Sequence, residues 1–149
     1  MDPLSIASSI IAVIQIADRV ISLCKFYIGL SSDGPSDLRV ILIETSALRA
    51  ILDNLQFLSS NGHHPTNLMS LAGKDGSIEG CRKALGGLEA LLPPEYSQSS
   101  SRTKSKRRKV KATLTILAWP LKQSTARKLL ADVVQHKTTL NLALTADIR

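Results

Sequence analysis

Three histidines, two cysteines and a run of basic residues are the groups in this 149-residue sequence that have chemistry to offer. His63 and His64 stand side by side before Pro65, with no acid cluster or paired cysteines around them, so metal ligation has no spacing to rest on. His136 follows Gln135 in a helical stretch and reads as a surface residue. Cys24 and Cys81 each have apolar neighbours, the setting of a reduced, partly buried thiol that packs as a small hydrophobe. A disulfide between them is the alternative. Neither cysteine has a histidine at a spacing that would make it a nucleophile. Gly73-Lys74-Asp75-Gly76 and Gly86-Gly87 lack the phosphate-loop spacing followed by Lys and Ser/Thr. The acids are scattered. The residues therefore read as those of a protein that is not an enzyme, with no catalytic set, no metal ligands and no cofactor.

The basic run is Arg102, Lys104, Lys106, Arg107, Arg108, Lys109 and Lys111. Nineteen basic residues less these seven leave twelve, against twelve acids, so the net charge of +7 belongs to one segment. A solvated loop is one reading. Contact with an anionic lipid surface is a second, since each clustered Lys or Arg adds about 1 kcal/mol near such a surface. An acidic protein partner is a third, and nuclear import or nucleic-acid contact is a fourth. Specific base readout is not expected, because neither a recognition-helix motif nor interleaved aromatics accompany the run.

Whatever positions these groups is helical. The apolar residues are overwhelmingly Leu, Ile, Ala and Val, with only two Phe, two Tyr and one Trp. They recur at spacings of three and four. Six isoleucines and two valines between Ile6 and Ile21 also suit a strand, but alternation fails across Ile10, Ile11, Ala12, Val13 and Ile14. A first helix is expected over 3–27, with Pro3 at its first position and Asp2 as cap. Its polar stripe is Ser5, Ser8, Gln15, Arg19 and Ser22, with Ala12 in register. The rest of it, including Leu4, Ile6, Ile10, Ile11, Val13, Ile14 and Ile16, is apolar. This is too greasy for an ordinary surface helix: either it lies centrally, or its surplus face inserts into a membrane or meets a partner. No run of ~20 apolar residues is read as a bilayer span, because Asp18 and Arg19 interrupt it. Asp2 in place of a basic n-region argues against a secretory signal.

A second helix is expected from 36 or 37 to 59, with its apolar face at Leu38, Ile41, Leu42, Thr45, Leu48, Leu52, Leu55 and Leu58. A third is expected over 77–92, weakened by Gly80, Gly86 and Gly87, which allow either a close helix contact or fraying. A short apolar patch at Leu68, Met69 and Leu71 could form a minor helix. Residues 95–112 are expected to be a mobile basic loop. A last helix is expected from 123 or 124 to 144, with Leu114 to Leu121 as an apolar lead-in and Leu129, Leu130, Val133, Val134, Thr138, Leu140, Leu142 and Leu144 as its packing positions. Trp119 is expected to anchor that helix on the bundle, or to sit at a membrane interface. The sum is one all-α domain over 1–149, a compact bundle of four main helices plus a possible short one.

The opening Met1-Asp2-Pro3-Leu4-Ser5-Ile6-Ala7-Ser8-Ser9-Ile10-Ile11-Ala12-Val13-Ile14-Gln15-Ile16-Ala17 resembles the start of the fungal STAND/NLR amino-terminal domains called HeLo-like, in the branch also found on azaphilone-pigment cluster proteins. Leu48-Arg49-Ala50-Ile51-Leu52-Asp53-Asn54-Leu55 is similar to that family's second helix, Leu117-Ala118-Trp119-Pro120-Leu121 to its Trp-Pro motif, and Leu140-Asn141-Leu142-Ala143-Leu144-Thr145-Ala146-Asp147 to its end. The resemblance implies a helical signalling module of an immune receptor, acting in self/non-self recognition, heterokaryon incompatibility and programmed cell death. It also implies a distant likeness to the four-helix membrane-disrupting bundle of necroptosis executioners, whose first helix would enter the membrane. The 149 residues include no nucleotide-binding centre and no repeats, and the basic run is an addition to the compact form. Expected partners are a second copy or another helical protein, and an anionic phospholipid membrane. The expected location is the cytoplasm, with recruitment to the plasma membrane on activation.

Overall fold

The computed structural model describes residues 3–30, 35–60, 73, 76–92 and 116–148. Four helices carry the fold: α1 Pro3–Leu30, α2 Ser36–Ser60, α3 Ser77–Leu91 and α4 Trp119–Ile148. Among the described residues there is no strand, and the architecture is an all-α bundle of four main helices.

Each helix follows from its spacing. Leu38, Ile41, Thr45, Leu48, Leu52, Leu55 and Ser59 of α2 fall at alternating steps of three and four, and all are buried. In α1 the buried set is Ile6, Ile10, Val13, Ile14, Ala17, Val20, Leu23, Cys24 and Tyr27. The opposite stripe of Ser8, Ala12, Gln15, Arg19 and Ser22 is exposed, as its polarity requires. In α3 the buried face is Ile78, Cys81, Ala84, Leu85 and Leu88.

Three boundaries differ from the sequence expectation, the end of α4 among them, at Ile148 and not at 144. α1 continues to Leu30, through Gly29, whose position is open to solvent and needs no special conformation. α4 begins at Trp119, not at 123 or 124. A proline in the first turn of a helix gives up an N–H that would have no intrahelical acceptor, so Pro120 opens α4 where it was read as part of a lead-in. The turn over 118–121 at the head of α4 is closed by the Leu121 N–H donating to the Ala118 carbonyl, 3.0 Å. A further expectation is overturned as well. By length and composition Ile6–Gly29 is long and apolar enough to cross a bilayer despite Asp18, Arg19 and Lys25, a test that a buried core helix also passes.

The helices pack in the cyclic order α1, α2, α4, α3, with α2 and α3 on one diagonal. The link 31–35 is short, and Asp18 meets Arg49 at nearly equal distances from it, so α1 and α2 are antiparallel. Asp37 near the start of α2 meets Trp119, Gln123 and Arg127 near the start of α4, and Glu44 meets Lys137 further along both, so these two run parallel. Gly80 lies opposite His136 and Gly87 opposite Leu129, so α3 runs antiparallel to α4.

Those two glycines set the α3–α4 spacing. A Cβ on Gly80 would stand 2.4 Å from the His136 ring, and one on Gly87 would stand 2.9 Å from a Leu129 methyl. His136, read from sequence as a surface residue, is half-buried because its ring covers Gly80. Gly86 faces open space. The expected outcome is that Gly86→Ala stabilises the bundle by up to about 1 kcal/mol through helix propensity. Gly80→Ala gains the same propensity but must displace the imidazole, and lowers the melting temperature. Thermal unfolding of the two variants against the parent measures the difference.

Candidate functional site

One cluster of polar side chains joins three helices at one end of the bundle. Asp37, in the first turn of α2, accepts hydrogen bonds from Trp119 Nε1 at 3.1 Å and Gln123 Nε2 at 3.3 Å on Oδ2, and from Arg127 Nε at 3.3 Å on Oδ1. Lys122 Nζ donates to the carbonyl of Leu91, the last residue of α3, at 3.0 Å. The first turns of α4 thus fasten the start of α2 and the end of α3. Trp119 is 4% exposed, and its indole N–H has a carboxylate partner.

Burial raises the Asp37 pKa, but the bonds from Trp119, Arg127 and Gln123 and the charge of Arg127 outweigh it, and the carboxyl is held below its ordinary value. A depressed folded-state pKa contributes stability that is present above the unfolded value, about 3.9, and lost as pH falls through the folded one. This loss is centred below pH 4.

The face between α1 and α3 holds a groove of about 640 Å³, lined by Asp18, Arg19, Ser22, Leu23, Gly86, Glu89 and Ala90. Arg19 Nε reaches across it to Glu89 Oε2 at 2.5 Å, and Asp18 turns away to Arg49 at 2.5 Å. Both pairs are solvent-exposed and contribute no more than about 1 kcal/mol each.

Seven apolar residues of α1 were picked out from sequence for membrane insertion or interaction. Ile6, Ile10, Val13 and Ile14 lie in the core, Ile16 packs against it half-buried, and Ile11 is 39% exposed. The Leu4 side chain lies outside the described residues, as do His63, His64, the patch at Leu68, Met69 and Leu71, and the basic segment from Arg102 to Lys111.

Sequence reading passed over a second apolar face on α2. Val40, Ile43 and Phe57 are 43%, 65% and 66% exposed. On α4, Leu121 and Leu142 are also exposed, with Leu117 just before it. A signal was present for α2: Val40 and Ile43 stand two residues after Leu38 and Ile41, hence on the opposite side of a helix.

Cys24 and Cys81 are both free and fully buried. Burial pushes each thiol up to about 12, so neither is a thiolate near neutral pH. Among the described residues, no three His, Cys, Asp or Glu side chains group to hold a metal ion. What the surface offers is apolar contact and exposed charge.

No protein-family model, no curated protein and no solved structure matches the chain.

Two outcomes follow. Asp37→Asn should destabilise the bundle by about 1–3 kcal/mol at pH 7, the range for a charged hydrogen-bonded group losing its charge. Its deficit should shrink as pH falls below 4, which denaturant midpoints across pH 2.5–7 would measure. Both thiols should stay unmodified by a thiol reagent at pH 8 in native buffer and react at once in denaturant, as counted by mass spectrometry.

Proposed function

We propose that this bundle is an amino-terminal signalling and oligomerisation module of a fungal NLR-like immune receptor, relaying activation by contacts between helix bundles. The observation that carries the reading is the division of apolar surface. The apolar side of α1 is spent on the core, whereas α2 and α4 turn large apolar side chains outward. Exposed aliphatic and aromatic residues on a rigid helical scaffold suit a helical partner. The resemblance of residues 1–17 and of the Trp119-Pro120 motif to HeLo-like domains supports the receptor context. On this reading the module works in the cytoplasm.

A second reading has its own support. The stretch Ile6–Gly29 has the length and composition to cross a bilayer. In this alternative α1 leaves the bundle and enters an anionic plasma membrane, as a cell-death effector. The cost is large. Nine core side chains of α1 would lose their packing, and at about 1.5–3 kcal/mol for each large one the sum exceeds ~10 kcal/mol. That is comparable with the entire stability of an ordinary domain, ~5–15 kcal/mol. Release would need the bilayer to re-bury the same surface, so the interaction module stands first.

Adjacent residues separate the two. Ile10 is 0% exposed and Ile11 39%. Ile10→Asp should unfold the domain by circular dichroism, whereas Ile11→Asp should stay folded. Wild-type protein should release no dye from vesicles containing phosphatidylserine. Dye release by the wild type, abolished in a folded Ile11→Asp variant, would reverse the order of the two readings.

A further inference from the structure

Helix α2 carries two seams. The inner one, Leu38, Ile41, Thr45, Leu48, Leu52, Leu55 and Ser59, is buried in the bundle. The outer one is Val40, Ile43, Ala47, Ala50, Asn54 and Phe57, with successive steps of three, four, three, four and three. An offset of two residues on a helix is about 200°, so the seams face opposite ways. All of the outer set are exposed except half-buried Ala47. Five of these six positions are apolar, at the spacing of a two-stranded coiled coil.

We propose that the outer seam of α2 docks on the same seam of a second copy, with the two α2 helices parallel and in register. This rests on the oligomerisation reading above and names its surface and partner. In that register Val40, Ile43, Ala47, Ala50 and Phe57 each meet their own counterpart. The small side chains of Ala47 and Ala50 let the helices approach at the centre, and larger residues close each end. Asn54 meets Asn54, and the amide of one donates to the carbonyl oxygen of the other, so a polar residue inside the seam is satisfied and fixes the register. The flanking charges agree. Arg39, exposed and making no ion pair among the described residues, lies five residues before Glu44, the separation that pairs flanking positions across a parallel coil. Glu44 accepts from Lys137 on Oε2, leaving Oε1 for the partner's Arg39. Two-fold symmetry makes this contact twice. An antiparallel pairing of the same seam sets Val40 against Phe57 and Asn54 against Ile43, burying each Asn54 amide without a partner at a cost of about 1–3 kcal/mol.

The test is sedimentation velocity of the full chain up to about 200 µM, well above a micromolar dissociation constant, together with oxidative cross-linking. The wild type should dimerise. Ile43→Lys and Phe57→Lys, each at a side chain two-thirds exposed, should keep the helical spectrum and weaken the dimer at least about tenfold, 1.4 kcal/mol. Val40→Cys should form a disulfide-linked dimer in parallel register. In the antiparallel one the two sulfurs would be about 25 Å apart, seventeen residues of helix. Buried Cys24 and Cys81 do not compete. Lysine variants that dimerise like the wild type would overturn the seam while leaving the oligomerisation reading in place. Dimers sensitive to Ile43→Lys but with no Val40→Cys cross-link would overturn the parallel register. A wild type that stays monomeric throughout would overturn both the seam and the reading beneath it.

Discussion

Asp37 is held by donors on three positions of α4, and much of the bundle's arrangement depends on that contact. It sets the starts of α2 and α4 side by side, pointing the same way. Two parallel helices place the positive ends of their dipoles together, which is unfavourable unless an anion lies between them. A carboxylate in the first turn of α2, facing the first turns of α4, is that anion. Its low pKa follows, because the bonds that orient it also favour its charged form. Lys122 completes the end by donating to Leu91, giving one of the unpaired carbonyls at the end of α3 a cationic partner.

With α4 fixed in this way, α3 must run antiparallel to it, and the close approach of the two is permitted by Gly80 and Gly87. The same glycines lower the intrinsic helicity of α3, so its stability comes from packing of Ile78, Cys81, Leu85 and Leu88. One side of α1 is then enclosed by α2 and α3, its two broad neighbours. A helix apolar enough by length and composition to enter a bilayer thereby has nine side chains in the core, while its polar stripe and Ile11 beside it stay exposed. This is why the interaction reading and the membrane reading share a helix and differ in what could displace it. The outer surface of α2 takes no part in this enclosure, which leaves it available to another chain.

Much of this was legible in the residues. Steps of three and four gave all four helices, and of the polar stripe read on α1, Ser8, Ala12, Gln15, Arg19 and Ser22 are exposed, while the Ser5 side chain lies outside the described residues. For Trp119 the residues left two uses open, an anchor for the last helix and a seat at a membrane interface; the structure buries it beside Asp37. The start of α4 was misplaced because Pro120 resembles a helix breaker unless its place in the first turn is known. The apolar residues of the outer α2 seam were overlooked because a strongly periodic inner face satisfies the expectation of one stripe per helix.

Sequence by itself determined the class of the fold, the core-facing stripes of α2 and α3 and the concentration of excess charge in one segment, since these depend on spacing and composition along a single chain; in α4 it set Thr138 and Leu142 among the packing positions, and both are exposed. It also left Asp37 as an unremarkable acid at a helix start and Gly80 as a weakness. Only the tertiary structure decided that Asp37 is a three-donor acceptor, that Gly80 and Gly87 are contact points while Gly86 is not, and that α2 and α4 run parallel. Local periodicity specifies which side of a helix must be covered. Which helix covers it, and which side is left over for another molecule, depends on contacts between residues some 80 to 90 positions apart, as between Asp37 and Trp119 or Arg127, and no local pattern encodes those.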